Sequence, residues 1–174
     1  ESSIPGAPID ASSTVASSPL LKTVGPPSSR GLIVLVVVLA AALRLVGLDR
    51  VPPAICQDEA VNAYDAYCIG ATGKDHYGTP WPVFFRSFGD YHPGPPIYLQ
   101  IPFQMLLGMN VWSTRLPDAL FGIAHVFFVY LLVRRFYGER AGLWAAGLLA
   151  VSPWHIHLTR LAFGIGISVS LITL

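Results

Sequence analysis

Two adjacent carboxylates, Asp58 and Glu59, are the residues of this sequence best suited to chemistry. They lie shortly after an apolar run over residues 31–48, from which Val51-Pro52-Pro53 separates them. Carboxylates beside a bilayer are costly unless they are solvated, paired or used. One interpretation is a base that deprotonates an acceptor hydroxyl, with its neighbour orienting it or the substrate. The other is acidic capping of a helix N-terminus, and the local sequence leaves both open.

A second polar group, Asp90, Tyr91 and His92, precedes a proline-rich turn and an apolar segment that begins at Pro96. Tyr91 or His92 could contact a lipid head group or a phosphate. Aromatic residues at such a place are equally typical of a membrane-interface belt. His76 and His92 could bind a metal together with nearby acids, but their spacing is not diagnostic of a metal site.

Arg115 stands between two apolar segments, where a guanidinium suits a phosphate group. The alternative is a positive residue that caps a membrane loop. His155, His157 and Arg160 follow a further apolar helix, so they line either a polar cavity or an interface belt. His125 lies within an apolar span, and we expect a hydrogen-bonded core histidine rather than a ligand.

The composition indicates a membrane protein. Of 174 residues, 53% are hydrophobic and only 12% are charged, with a mean hydropathy of +0.55. Soluble domains carry about twice that charged fraction. The net charge of +1 indicates no nucleic-acid partner, and two cysteines do not form a disulfide framework.

The elements that must position these residues follow from the apolar pattern. Residues 1–30 are rich in Ser, Pro, Ala and Gly and are predicted to be a disordered cytoplasmic tail. A short spanning helix is expected over 31–48, with Arg44 snorkelling towards its end. Residues 49–95 form a long polar loop with a short helix from Asp58 to Ile69, capped near Gly70. Further apolar helices are predicted over 118–133 and 141–158, the latter broken at Ser152-Pro153.

Positive charge predicts the topology. The cluster Arg134, Arg135 and Arg140 is expected in the cytoplasm, and the acidic loop 49–95 outside. One span then lies between them, which favours residues 118–133 as that span. The segment 96–111 would then lie along the interface or re-enter. If residues 96–111 instead cross the membrane fully, the arginine cluster lies outside. The predicted fold class is all-α: polytopic transmembrane helices with a long first extracytoplasmic loop that contains short juxtamembrane helices.

Read in order, several motifs resemble a known family. They are Arg44-Leu-x-x-Leu, Pro52-Pro53, Asp58-Glu59-Ala60, Gly73, Tyr77-Gly78, Pro80, Gly89-Asp90-Tyr91-His92-Pro93-x-Pro95-Pro96, Arg115-Leu116-Pro117-Asp118, Tyr130-Leu-Leu-x-Arg134-Arg135 and Ser152-Pro153. The chain resembles the protein O-mannosyltransferase-like branch of the multi-span glycosyltransferases, which includes the aminoarabinose–lipid A transferase. The resemblance covers about residues 31–163, and residues 31–174 would be the N-terminal part of such an enzyme.

The resemblance implies transfer of a sugar from a polyprenyl-phosphate-linked donor to an extracytoplasmic acceptor. By match, Asp58 would be the catalytic carboxylate and Glu59 its partner. Arg115 would support the donor phosphate, and the stretch Asp90-Tyr91-His92 would lie near the bound lipid phosphate. A divalent metal is compatible with the family but not required by the sequence. One departure is Gly164-Ile-Gly166, where related sequences often carry an acid.

Family members run to several hundred residues, so the chain is expected to be a fragment that is inactive alone. The competing hypothesis is a non-enzymatic transporter or lipid-handling membrane subunit. A transporter would concentrate charged residues within its spans, whereas most acids here fall in one loop.

Overall fold

The computed structural model describes residues 29–174, so the predicted tail 1–30 lies almost entirely outside the described residues. The described part is mostly helical. Its elements are α1 (Ser29–Leu45), α2 (Gln57–Thr72), β1 (Phe84–Ser87), β2 (Asp90–Pro93), α3 (Gly94–Leu107), α4 (Val111–Tyr137), α5 (Glu139–Val151), α6 (Pro153–Thr159) and α7 (Ile165–Thr173).

Three helices, α1, α4 and α5, pack side by side around one apolar cluster. Its buried members are Ile33, Ala40, Val126, Tyr130, Ala146 and Ala150. Small side chains let helix backbones approach closely. Helices in a bilayer pack in this way, because no hydrophobic driving force brings them together there. Gly142 marks a close approach of α5 to α4, since a Cβ there would lie 2.9 Å from the carbonyl oxygen of Tyr130.

Helix α4 is the one helix of residues 29–174 that is long and apolar enough to cross a membrane. Asn110 caps its start by accepting a hydrogen bond from the Ser113 N–H, and Arg134 and Arg135 occupy its last turn. The predicted span 118–133 falls inside this helix. Arg115 and Arg134 are about 29 Å apart along it at 1.5 Å per residue, close to the thickness of a hydrocarbon core.

Helix α2 begins and ends differently from the prediction. The N-cap is Cys56, whose backbone N–H donates to the Glu59 carboxylate, so Glu59 rather than Asp58 closes the capping box. The helix runs past the predicted cap at Gly70. It ends at Gly73, which adopts the left-handed conformation that glycine tolerates best.

The all-α prediction missed a small hairpin in the loop. β1 and β2 pair antiparallel, with Phe85 opposite His92 and Ser87 opposite Asp90. Phe85 is fully buried and packs with Ala66, Ile69 and Ile97. The hairpin is thereby held against α2 and α3, and it delivers His92 to the side of α2.

Helix α3 starts and ends on the same side of the molecule. Its beginning adjoins His92, which faces α2, and the first turn of α4 after it brings Arg115 to Glu59 on α2. Along its length, Gln104 donates to the Ala63 carbonyl of α2. The helix therefore lies against the loop and does not lead to the Arg134 end of α4.

Two arginines bind backbone carbonyls at helix ends. Arg44 is fully buried and donates to the carbonyls of Ala40 and Ala150, so the expectation that it snorkels is wrong. Arg160 donates to the carbonyls of Leu43, Val46, Gly47 and Val51, just where α1 ends. The predicted break between α5 and α6 is present at Ser152-Pro153.

Candidate active site

Glu59 and Arg115 form a fully buried ion pair beneath the N-terminus of α2. Arg115 Nε donates to Glu59 Oε1 at 2.9 Å, and Nη2 donates to Oε2 at 3.0 Å. The remaining guanidinium hydrogens go to the carbonyls of Leu48, Pro52 and Ala54. A guanidinium has five N–H donors, and all five are used within the protein. Arg115 thus pins the chain after α1 to α2.

The Glu59 carboxylate likewise accepts all the hydrogen bonds that its two oxygens can accept. Besides Arg115, Oε1 accepts the backbone N–H of Ala162 and Oε2 accepts that of Cys56. Burial pushes the pKa of Glu59 up, but the hydrogen bonds and charge of Arg115, with these N–H donors, outweigh it and hold the pKa below its usual value. Glu59 is therefore an anion with no lone pair left for a substrate.

Asp58 points in a different direction from Glu59, into a pocket of about 250 Å³. Its side chain is 55% exposed, in contrast to the fully buried Glu59 next to it. The pocket is lined by Asp58, Asn62, His92, Pro93, Pro96, Phe163 and Ile165. One solvated carboxylate among proline and apolar side chains is an arrangement that can accept a proton from a bound hydroxyl.

His92 stands across the pocket, with Nε2 4.0 Å from Asp58 Oδ1. Its Nδ1 lies 2.6 Å from Asn62 Oδ1, while Asn62 Nδ2 donates to the Ala162 carbonyl. Because the amide of Asn62 is oriented by that second bond, its oxygen accepts and His92 Nδ1 carries the proton. The network therefore turns Nε2 of His92 towards Asp58.

The far wall of the pocket is the connection between α6 and α7. Asp118 on α4 is fully buried, and its two oxygens accept the backbone N–H groups of Gly164 and Gly166. Gly164 has φ +74°, and a Cβ there would lie 2.3 Å from Pro96 Cγ. Gly164 thus lets this connection reach Pro96 and close the pocket.

Asp90 and Tyr91 do not reach the pocket. Asp90 Oδ1 accepts the Tyr91 N–H, and both side chains are exposed at the hairpin. Of the residues that the sequence singled out, the fold brings Asp58 and His92 together, and separately Glu59 and Arg115. Within residues 29–174, no group of three or more His, Cys, Asp or Glu side chains is arranged to hold a metal ion.

The comparisons with known proteins concern the second half of the described chain and its relatives. Residues 92–173, from His92 of the pocket to the end of α7, match the family model described as dolichyl-phosphate-mannose-protein mannosyltransferase. This part of the chain is similar to protein mannosyltransferases. The predicted family resemblance is therefore confirmed.

Two curated relatives come from Bacillus subtilis (strain 168), "Putative mannosyltransferase YycA" and "Putative mannosyltransferase YkcB". Each is 27% identical to this chain over 108 residues, which is 61% of the chain. The matched region is 16% and 15% of their respective lengths, so the chain spans about a sixth of these relatives. No solved structure matches.

Sequence reasoning did not assign several residues in and around the Asp58 pocket to the site. Asn62 was recognisable, since it lies four residues after Asp58 and shares its helix face. Phe163, Ile165 and Asp118 carried no such signal, because they meet the pocket only through the packing of α4 against the connection before α7. His125 is hydrogen-bonded, as predicted, with Nδ1 2.8 Å from His155 Nε2.

Proposed function

We propose that this chain is the N-terminal part of a membrane glycosyltransferase. The enzyme would move a sugar from a polyprenyl-phosphate-linked donor to an acceptor hydroxyl on a protein, lipid or glycan outside the cytoplasm. The similarity to protein mannosyltransferases supports the reaction class. The apolar helix α4 supports a membrane location.

The observation that carries the proposal is the contrast between the two neighbouring acids. Glu59 is buried and uses all its acceptor capacity within the protein, whereas Asp58 is exposed to a pocket. A catalytic base must be held rigidly yet remain reachable. The Glu59–Arg115 pair supplies the rigidity, and Asp58, one residue earlier on the same helix turn, remains open to substrate.

The reaction is a single displacement. Asp58 takes the proton of the acceptor hydroxyl as its oxygen bonds to the anomeric carbon. The bond from that carbon to the phosphate oxygen breaks, and the polyprenyl phosphate leaves with the electron pair. One carboxylate suffices for this inverting course, in contrast to the carboxylate pair of retaining hydrolysis.

His92 is assigned to the donor side of the pocket. Its Nδ1–H is held by Asn62, so protonation adds a donor at Nε2, the nitrogen that faces the pocket. An imidazolium there can hold a phosphate oxygen as charge develops on the leaving group. Arg115 has no donor left for this task, so we assign it a positioning role through Glu59. Asp90 and Tyr91 stand at the outer surface, where a lipid or acceptor would approach.

The proposed orientation puts the N-terminus and Arg134 in the cytoplasm and the loop 49–95 outside. Arg115 and the loop lie at one end of α4, and Arg134 and Arg135 at the other. Both ends of α3 remain beside α2, which supports a segment that lies along the interface. With α1 and the pair α5–α6 as further spans, the protein would be multi-pass.

A specific observation favours the second candidate, a transporter or lipid-handling subunit. Polar side chains form a chain between the helices: Arg44 lies 2.7 Å from His155 Nδ1, whose Nε2 lies 2.8 Å from His125. Polar groups within spans often mark a transport path. A transporter would not use the Asp58 carboxylate to turn over a glycosyl donor. Dependence of sugar transfer on that carboxylate therefore separates the two functions.

The test is Asp58→Asn in the full-length protein, reconstituted with a labelled polyprenyl-phosphate sugar. We expect transfer to fall by about 10²–10⁴-fold, the usual contribution of a positioned base. Donor binding, measured directly, should stay unchanged. The control is Asp49→Asn, which removes an exposed acid paired only loosely with Arg50. Near-normal turnover by Asp58→Asn would refute the assignment of the base.

A further inference from the structure

A second pocket lies on a different face of α2 from Asp58. It has a volume of about 410 Å³ and is lined by Ala60, Val61, Tyr64, His76, Tyr77, Ser87 and Phe88. The size is within the range of small-ligand sites, which begins at roughly 300 Å³. We propose that this pocket binds the pyranose ring of a carbohydrate, independently of the Asp58 site.

The walls of the pocket have the chemistry that a sugar ring needs. Tyr64, Tyr77 and Phe88 expose 50%, 55% and 74% of their surface. The faces of aromatic rings are electron-rich, and the C–H groups on one face of a pyranose form an apolar surface of weakly positive charge. The Arg86 guanidinium lies 5.2 Å from the centre of the Tyr77 ring, and this cation–π contact helps to hold the ring in place.

A buried carboxylate orients the polar group of this pocket. Asp65 is fully buried, and its Oδ1 accepts both the backbone N–H of His76 and the ring Nδ1 at 2.6 Å. With Nδ1 engaged, Nε2 of His76 is the ring nitrogen available to a ligand hydroxyl. The second oxygen of Asp65 has no hydrogen-bond partner among the described residues. A buried acid thus orients an imidazole beside aromatic rings, and this arrangement is typical of a binding site.

The backbone at Phe88 is a further sign of function. Phe88 has φ +44° at the tip of the hairpin, followed by Gly89 at +96°. A bulky residue in the left-handed region is strained, and glycine or asparagine would normally occupy it. Strain of this kind persists where the side chain is needed in one place. Here it places an exposed ring at the rim of the pocket.

A membrane-interface belt is the alternative explanation of the aromatic rings. A belt accounts for exposed Tyr and Phe side chains, but it gives no role to the buried Asp65 or to the fixed imidazole of His76. A sugar site uses both. Phe84 separates the two explanations, because it is 62% exposed on the same hairpin yet does not line the pocket.

The experiment measures binding of methyl pyranosides to the full-length protein in nanodiscs by saturation-transfer NMR, without any glycosyl donor. The panel contains both anomers of the manno, gluco and galacto forms. Wild-type protein and Asp58→Asn should bind at least one of them equally well, so the result does not depend on transferase activity. Phe88→Gly and His76→Phe should each weaken binding at least tenfold, and Phe84→Ala should not.

Stability provides the second readout. Phe88→Gly relieves a positive φ, so its thermal unfolding should occur at the wild-type temperature or above while sugar binding is lost. If Phe88 had only a structural role, Phe88→Gly would unfold at a lower temperature and would keep its sugar binding. Absence of binding by the whole panel would overturn the proposal. Equal losses in Phe88→Gly and Phe84→Ala would overturn it too, and would identify the rings as a membrane belt.

Discussion

At the scale of single residues, the neighbours Asp58 and Glu59 have opposite surroundings, since Asp58 is exposed to a pocket and Glu59 is fully buried. Two adjacent helical residues point about 100° apart, so one can enter the core while the other stays outside. Glu59 takes the inner direction and meets a guanidinium together with two backbone N–H groups. Asp58 takes the outer direction and meets His92. The two side chains could exchange their inner and outer directions only if the helix rotated about its axis.

Glu59→Gln should destabilise the protein strongly. The substitution leaves the Arg115 cation buried against a neutral amide, and breaking a buried pair by removing one partner costs about 3–5 kcal/mol. Thermal unfolding of purified protein in detergent measures the loss. The exposed-acid variant Asp49→Asn serves as the control and should unfold as the wild type does. Equal unfolding temperatures for the two variants would contradict the role given to Glu59.

The same pair makes stability depend on pH. The pKa of Glu59 lies below its usual value of about 4.3, so its contribution is present above that pH and is lost as pH falls through the lower folded-state pKa. Unfolding temperatures recorded between pH 7 and pH 3 should drop for the wild type at the acidic end. The drop should be smaller in Glu59→Gln. Parallel curves for the two proteins would mean that other carboxyl groups govern the transition.

At the scale of elements, the pocket depends on the connection between α6 and α7. Gly164→Ala should deform it, because the new Cβ combines a left-handed φ with an approach of 2.3 Å to Pro96. We expect a loss of about 1–3 kcal/mol in stability together with impaired transfer. Gly147→Ala on α5 is the matched control, since its Cβ meets nothing within 4 Å. Indistinguishable behaviour of the two alanine variants would show that the close approach is unimportant.

The sequence was sufficient for elements whose signal is local. The apolar run of α4, the break at Ser152-Pro153 and the helix after Asp58 are all visible in composition, spacing and proline placement. The hairpin was missed because its strands have four residues each and its apolar anchor is Phe85 alone. The partners of Arg44, Arg115 and Arg160 were missed for another reason. Most of them are backbone carbonyls that any residue carries, so no sequence pattern marks them.

At the scale of the whole molecule, α4 separates two ends of opposite character. One end carries the loop, its acids and both pockets, and the other carries Arg134 and Arg135. The separation of about 29 Å between Arg115 and Arg134 matches a hydrocarbon core, provided that the helix crosses with little tilt. The proposed orientation follows from this arrangement and from the preference of arginine for the cytoplasmic side.

Cysteine labelling tests that orientation in the full-length protein. In a background of Cys56→Ser and Cys68→Ser, a cysteine at exposed Tyr137 should resist a membrane-impermeant maleimide in intact cells. A cysteine at exposed Lys74 should react. Both should react once the cells are opened. External labelling at position 137 would place the arginine end outside and reverse the proposed topology.

The hydrogen bonds that Glu59 and Asn62 make to the backbone of Ala162 also bear on the order of biosynthesis. These partners are 103 and 100 positions apart along the chain. Contacts of such sequence separation form late, because a long stretch of chain must be closed before they gain anything. During translation, the loop emerges well before residue 162 exists. The Asp58 pocket therefore lacks its far wall until the connection before α7 has been synthesised, and a nascent chain that ends earlier cannot form it.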